Sequence, residues 1–354
     1  MKSCTLLRAF VKPQQQLSTS GTSLLLLTSS STTTAQQRRW SHKEPTDDNN
    51  NNGGNIINCN QMTEEIKLQV KTNIEERIFK GARRPSLSVV LYSHEPKARR
   101  FAKKLVTECA HVGIDTATKQ LTPSMTNKEL HDVLTDVVFN PKADAGIVVL
   151  PLKNSVKEDL IHRGLHLQKD IDGFGMRHRK YLFGTSCYLP AKVSATLEVL
   201  RRCRIKTALR TTLLHGDTAN LQVLRDLICQ VRHTNGPPGE KTVVYETDAR
   251  TPADTLKRNA LEADVIITEV GIPRSIRADM VKKGCHVIDL SHNYVDAGDG
   301  RIKVVGDTDI DEVKHVAAGV TPVPGGVGPL SIAMMCLHTL MASSKAHKGA
   351  DSYR

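Results

Sequence analysis

Thr211-Thr-Leu-Leu214, Thr242-Val-Val-Tyr245, Val265-Ile-Ile-Thr268 and His286-Val-Ile-Asp289 decide the fold. Each is a short apolar run rich in β-branched residues. The runs do not alternate with polar residues, so they read as strands buried on both faces. A helix is predicted from Val223 to Val231, after the first run, and His233 to Glu240 (His-Thr-Asn-Gly-Pro-Pro-Gly-Glu) reads as a loop. Four such strands at this spacing predict a doubly wound parallel sheet of the nucleotide-binding type.

The pattern extends towards the N-terminus. Leu87-Ser-Val-Val-Leu91 and Ala145-Gly-Ile-Val-Val-Leu150 read as two more buried strands, the second closed by Pro151. Residues 62–80 carry Ile66, Val70, Ile74 and Ile78 four apart, the spacing of an amphipathic helix. Helices are also predicted over 99–112, stopped by Gly113, over 128–138 and over 192–203. The fold class is therefore α/β with two α/β domains. No internal repeat is present.

The 354 residues are 39% hydrophobic and 24% charged, an ordinary globular composition with enough chain for two cores. No apolar run approaches eighteen residues, so no membrane-spanning helix is predicted. Eight Cys stand without a single C-x-x-C pair, which excludes a zinc ribbon and a disulfide scaffold, and no metal site is expected. Residues 1–43 contain Lys2, Arg8, Lys12, Arg38, Arg39 and Lys43, many Ser, Thr and Gln, and no acid. That composition predicts a mitochondrial transit peptide, with a disordered tail as the alternative, and places the mature protein in the mitochondrial matrix. Residues 44–61 read as a disordered polar linker, with ordered structure from about Met62. The formal net charge of +12 remains positive once the first 43 residues are set aside.

The most specific stretch is Thr321-Pro-Val-Pro-Gly-Gly-Val-Gly-Pro-Leu330, a loop poor in side chains that lets backbone approach a flat ligand. With Lys169-Asp-Ile-Asp-Gly-Phe174 it resembles the methylenetetrahydrofolate dehydrogenase/cyclohydrolase family. Val148-Val-Leu-Pro-Leu152, Ala263-Asp-Val-Ile-Ile267, Gly271-Ile-Pro273, Gly284-Cys-His-Val-Ile-Asp289 and Val305-Gly-Asp307 match in order around these two. The likeness covers about residues 62–345. It implies an N-terminal folate/catalytic-type domain (62–200), a Rossmann-like NAD(P)-binding-type domain (201–320), then the Pro/Gly loop and a helix returning to the first domain (321–345), and a tail (346–354). It further implies a tetrahydrofolate substrate in the cleft, NAD or NADP as cofactor, and a homodimer. Folate-binding positions by resemblance are Asp172, Pro324, Gly325, Gly326 and Val327. Cofactor-binding positions are Gly216, Thr218, Gly271 and Thr321.

The chain departs from the family pattern where chemistry is done. The family's working lysine stands eight residues before a glycine and four after a tyrosine. Counted from Gly113, these positions are Leu105 and Phe101. The glutamine before Leu-Pro-Leu is Val149. Leucine has no proton to shuttle, and Lys104 lies about 100° away around a helix. Phe101, Leu105, Cys109 and Val112 form one apolar stripe, the pattern of a packing face. Pro190-Ala-Lys-Val193 replaces the usual Pro-Cys-Thr-Pro. The phosphate-cradling turn is reduced to His215-Gly-Asp-Thr-Ala-Asn-Leu-Gln222, with Asp217 where the family has Arg. Glu246 and Asp248 could bind a ribose diol. Ser291-His-Asn293 replaces Gly-Ile-Asn, and His292 reads as a loop histidine.

The expectation is a retained fold with its enzyme chemistry reduced or lost. The alternative is a non-catalytic structural or RNA-associated protein of a mitochondrial ribonucleoprotein. It rests on basic clusters at Lys97, Arg99, Arg100, Lys103 and Lys104, at Arg177, Arg179 and Lys180, and at Arg201, Arg202, Arg204, Lys206 and Arg210. Solvated helix faces explain the same clusters.

Overall fold

The computed structural model describes residues 55–92, 96–121, 125–149, 169–173, 188–230, 241–298 and 301–351. Helix α1 (Cys59–Phe79) leads into β1 (Ser86–Tyr92), α2 (Pro96–Val112), β2 (Asp115–Leu121), α3 (Asn127–Phe139) and β3 (Ala145–Val149). The strands form a parallel sheet in the order β2-β1-β3. Leu87 lies opposite Thr116 on one side and Ala145 on the other. All five residues of β3 are buried, which is why it reads as an unbroken apolar run. Edge strand β2, Asp-Thr-Ala-Thr-Lys-Gln-Leu, buries only Leu121. Its polarity blunts the edge and hides it from a reading based on apolar runs.

Helix α4 (Ala191–Arg202) carries the chain to β4 (Thr211–His215), α5 (Ala219–Gln230), β5 (Val243–Thr247), α6 (Ala253–Glu262), β6 (Val265–Thr268) and β7 (His286–Asp289). The hairpin β8 (Asn293–Asp296) and β9 (Ile302–Val305), the short α7 (Ile310–Val313), β10 (Gly319–Val320) and α8 (Val327–Asp351) complete the order. The second sheet runs β10-β7-β6-β4-β5, all pairs parallel. From β4 the chain moves outward to β5 and then returns to pair β6 on the other side of β4. The strand order reverses there, and a crevice opens beyond the carboxyl ends of β4 and β6.

Three expectations are corrected. Structure begins before Met62: Ile57 donates to the Val320 carbonyl at 2.8 Å, and Val320 donates to the Asn55 carbonyl at 2.9 Å. Buried Ile57 and Cys59 anchor this end of the expected linker. Helix α8 does not stop at 345 but continues to Asp351, across the expected tail. Ala and Lys in that last stretch are good helix formers. The same helix also holds a window, Val327–Ser344, long and apolar enough to cross a membrane, with mean hydropathy 1.3. No single apolar run shows this, because Ser and Thr punctuate it.

That window is 72% buried inside the protein. It packs against α1 and α4. Cys336 Sγ lies 3.9 Å from Cys109 Sγ of α2. Arg77 of α1 donates to Ser343 Oγ at 3.2 Å. The final helix thus returns to the first sheet's layer.

Candidate functional site

On α2 the buried residues are Ala98, Ala102, Leu105, Cys109 and Val112, the stripe one helix face must present to a core. Leu105 is 0% exposed, and Phe101 packs half-buried against the same core. Val149 is buried at the end of β3. The three positions that the resemblance assigns to catalysis, Phe101, Leu105 and Val149, therefore carry packing groups. None can transfer a proton.

The other cations of the helix do reach the second half. Lys97 Nζ lies 4.9 Å and Arg100 Cζ 5.0 Å from the ring centroid of Tyr294 on β8. Lys104 is exposed, while Leu105 beside it is buried. The His292 ring keeps an open edge and seats on Gly328. Neighbouring atoms desolvate it and hold its pKa below the usual value, and the Lys192 and Lys104 charges add to this.

Asp172 sits half-buried where the chain passes towards α4, and its Oδ1 accepts the Ala191 N–H at 3.3 Å. In the Pro/Gly loop, Pro324 is exposed and Gly325 has φ +99°. Gly326 is buried. A Cβ there would stand 2.2 Å from the Pro322 carbonyl oxygen, so only glycine fits. Val327 is buried at the start of α8. Residues Leu150 to Leu152 and Phe174 to Lys180, the second basic cluster included, lie outside the described residues.

At the crevice of the second sheet, Gly216 follows β4 with φ +140°. A Cβ there would lie 2.5 Å from the Glu269 carbonyl oxygen, so this glycine serves a close approach between two strand ends. Thr218 Oγ1 donates to Glu269 Oε2 at 2.6 Å. Asn220 Nδ2 reaches both oxygens of the same carboxylate, at 3.2 and 3.1 Å. Lys192 Nζ donates to Glu269 Oε1 at 2.5 Å and to the Leu290 carbonyl at 3.1 Å. Asp217 is exposed beside this group. Glu246 is paired with Arg225 and Asp248 with Arg250.

Thr321 stands at the start of the Pro/Gly loop. It is 1% exposed, and its Oγ1 accepts the Asp289 N–H at 2.8 Å. Gly271 is exposed and donates its N–H to Asp307 Oδ2 at 3.2 Å. Asp307 is 0% exposed and also accepts from Thr268, Val270, Ser291 and Asn293. The neighbouring Asp289 accepts from the N–H groups of Ser291 and Thr308. Burial, then repulsion from Asp307, push its carboxyl up to about 7. This carboxylate pair ties β7, β8 and the segment before α7 together.

The third basic cluster is partly neutralised. Arg201 and Arg202 both donate to Glu198, at 2.6 Å each, and Arg202 also pairs with Glu65. Glu198 lies three and four residues earlier on the same helix, a spacing that brings it alongside both. Burial opposes its charge, but the two guanidinium groups outweigh it and hold the carboxyl low.

A parallel sheet carried by the first half, a doubly wound sheet with a crevice at its reversal point, and a glycine-lined loop between that sheet and a returning helix define a two-domain dehydrogenase fold. The family model for the tetrahydrofolate dehydrogenase/cyclohydrolase catalytic domain matches residues 57–172, and that for its NAD(P)-binding domain matches residues 232–347. The mitochondrial bifunctional methylenetetrahydrofolate dehydrogenase/cyclohydrolase 2 of Homo sapiens is 34% identical over 295 residues, 82% of this chain and 84% of that protein. The corresponding mitochondrial enzyme of Drosophila melanogaster is 30% identical over 82% of this chain and 94% of its own length. Among solved structures, a 5,10-methylenetetrahydrofolate dehydrogenase from the silkworm, Bombyx mori, is 27% identical with a TM-score of 0.72, covering 83% of this chain and 99% of that one. The chain belongs to the tetrahydrofolate dehydrogenase/cyclohydrolase family, and its second half is that family's NAD(P)-binding-type domain.

The residues at the crevice do not fit a dinucleotide. The hydroxyl, amide and ammonium donors beside Gly216 are already engaged by Glu269, and Asp217 adds a second negative charge. Sequence reasoning found the decayed turn but missed Glu269. A single acid after a strand carries no motif, and its role lies in partners 51 and 77 residues away.

Proposed function

We propose that this chain is a mitochondrial matrix member of the family that keeps a folate cleft, through Asp172 and Pro324 to Val327, while its dehydrogenase and cyclohydrolase chemistry is reduced or lost. One observation carries the reading: Leu105, at the working-lysine position, is 0% exposed in the core. A positioned acid–base group contributes about 10²–10⁴-fold in rate, and turnover should be lower by that order. The acid-free leader and the mitochondrial relatives support the location. The family pattern supports a homodimer.

The test is oxidation of methylenetetrahydrofolate with NAD and with NADP, and hydrolysis of methenyltetrahydrofolate, by the purified chain. Folate is titrated calorimetrically alongside. Folate binding without turnover is the expected result, and turnover within tenfold of the fly enzyme would overturn it. A second reading, association with a ribonucleoprotein, draws on the five cations exposed along α2. Co-sedimentation with ribosomal particles that is lost at high salt would favour it.

A further inference from the structure

Glu269 stands at the first position after β6, where the strand order reverses and open α/β sheets receive their ligands. Its side chain is only 11% exposed. The groups around the carboxylate are those a phosphate would call for: the Thr218 hydroxyl, the Asn220 amide, the Lys192 ammonium and the start of the twelve-residue helix α5. They form an anion cradle, and the anion in it belongs to the chain.

Two further observations say that the cradle is filled rather than merely crossed. Asn220 is 8% exposed and gives its amide N–H group to the carboxylate, while its Oδ1 has no hydrogen-bond partner. Its side-chain hydrogen bonds go to Glu269. Gly216, which in a dinucleotide turn would leave room for pyrophosphate, instead admits the backbone of Glu269 itself. Lys192 comes from α4, on the first half, so the ion pair also spans the cleft.

We infer that Glu269 is a built-in occupant of the dinucleotide phosphate cradle, shutting out NAD and NADP and, through Lys192, latching the two halves together. A pyrophosphate entering would meet like charge at about 4 Å, with the Thr218, Asn220 and Lys192 side chains already turned to Glu269. The inference deepens the proposed loss of chemistry but does not use Leu105. A folate turnover assay and a dinucleotide titration therefore fail separately.

The test is calorimetric titration of the full chain, of Glu269→Gln and of Glu269→Ala with NAD, NADP and inorganic pyrophosphate, with thermal melts to confirm folding. The wild-type chain should take none of the three at millimolar concentration. The variants should bind at least one of them roughly tenfold tighter or more. Wild-type protein that binds a dinucleotide as tightly as the variants would overturn the inference, as would folded variants with no gain. Lys192→Met offers a second route, because it keeps the carboxylate. No gain in dinucleotide affinity is expected there, and a gain would assign the closure to the ammonium instead.

Discussion

The two halves of this molecule carry opposite kinds of side chain at the positions that the family resemblance singles out. On α2 the working positions hold hydrocarbon. Leu105 joins Ala102, Cys109 and Val112 in the core. At the crevice of the second sheet the new groups are charged, and they satisfy one another: Glu269 with Lys192, Thr218 and Asn220. One half carries packing groups at the positions the resemblance assigns to the reaction, where any loss is a loss of stability. The other carries an internal ion-pair network at the proposed cradle, where a loss should uncover a site.

The sharpest way to break this contrast is Leu105→Ala. A leucine with no exposure in a close-packed core should cost about 2–5 kcal/mol on truncation, read from urea unfolding. A cost near zero would mean that Leu105 lines an open cleft after all, and the two halves would no longer differ.

Next in size is the pH dependence of stability around Asp289. Its carboxyl is raised to about 7 in the folded chain against an ordinary 3.8. Between those values the folded state holds the proton more tightly than the unfolded state. Stability should therefore fall as pH rises from about 4 to about 7, by up to about 1.4 kcal/mol per pH unit. Asp289→Asn should remove this decline in thermal melts. An unchanged slope would place the titration elsewhere.

The smallest effect concerns the contact that joins the halves away from Glu269. Arg100→Ala removes one of the two cations over Tyr294 and should cost about 0.5–1 kcal/mol, less at high salt, since both cations are exposed. A double-mutant cycle with Tyr294→Leu measures the coupling. A coupling as large as that of Lys192 with Glu269 would mean that the latch is shared along the cleft.

Much of the fold was legible in the sequence because buried parallel strands advertise themselves. Val265 to Thr268 and Ala145 to Val149 are apolar at nearly every position, as strands covered on both faces must be. The polar edge strand Asp115–Leu121 and the hairpin Asn293–Val305 were not legible, since half-exposed strands with Thr, Lys and Asp give no such signal. The silent face of α2 could be read from helical spacing alone. Glu269 could not. Neither could the masking of Arg202 by Glu65, 137 residues away. Both depend on which residues the fold brings together: strand end β6 and helix α4 for Glu269, helices α1 and α4 for Arg202.

Helix α8 carries a consequence for how the chain is made. Among the described elements it is the last along the chain, yet it covers α1, the first of them, with Arg77 reaching for Ser343 and Cys109 lying against Cys336. Wherever the chain folds, α1 gains this cover only when a helix from beyond the whole second sheet in sequence docks on it. The protein closes like a book whose front cover is fastened by its last page.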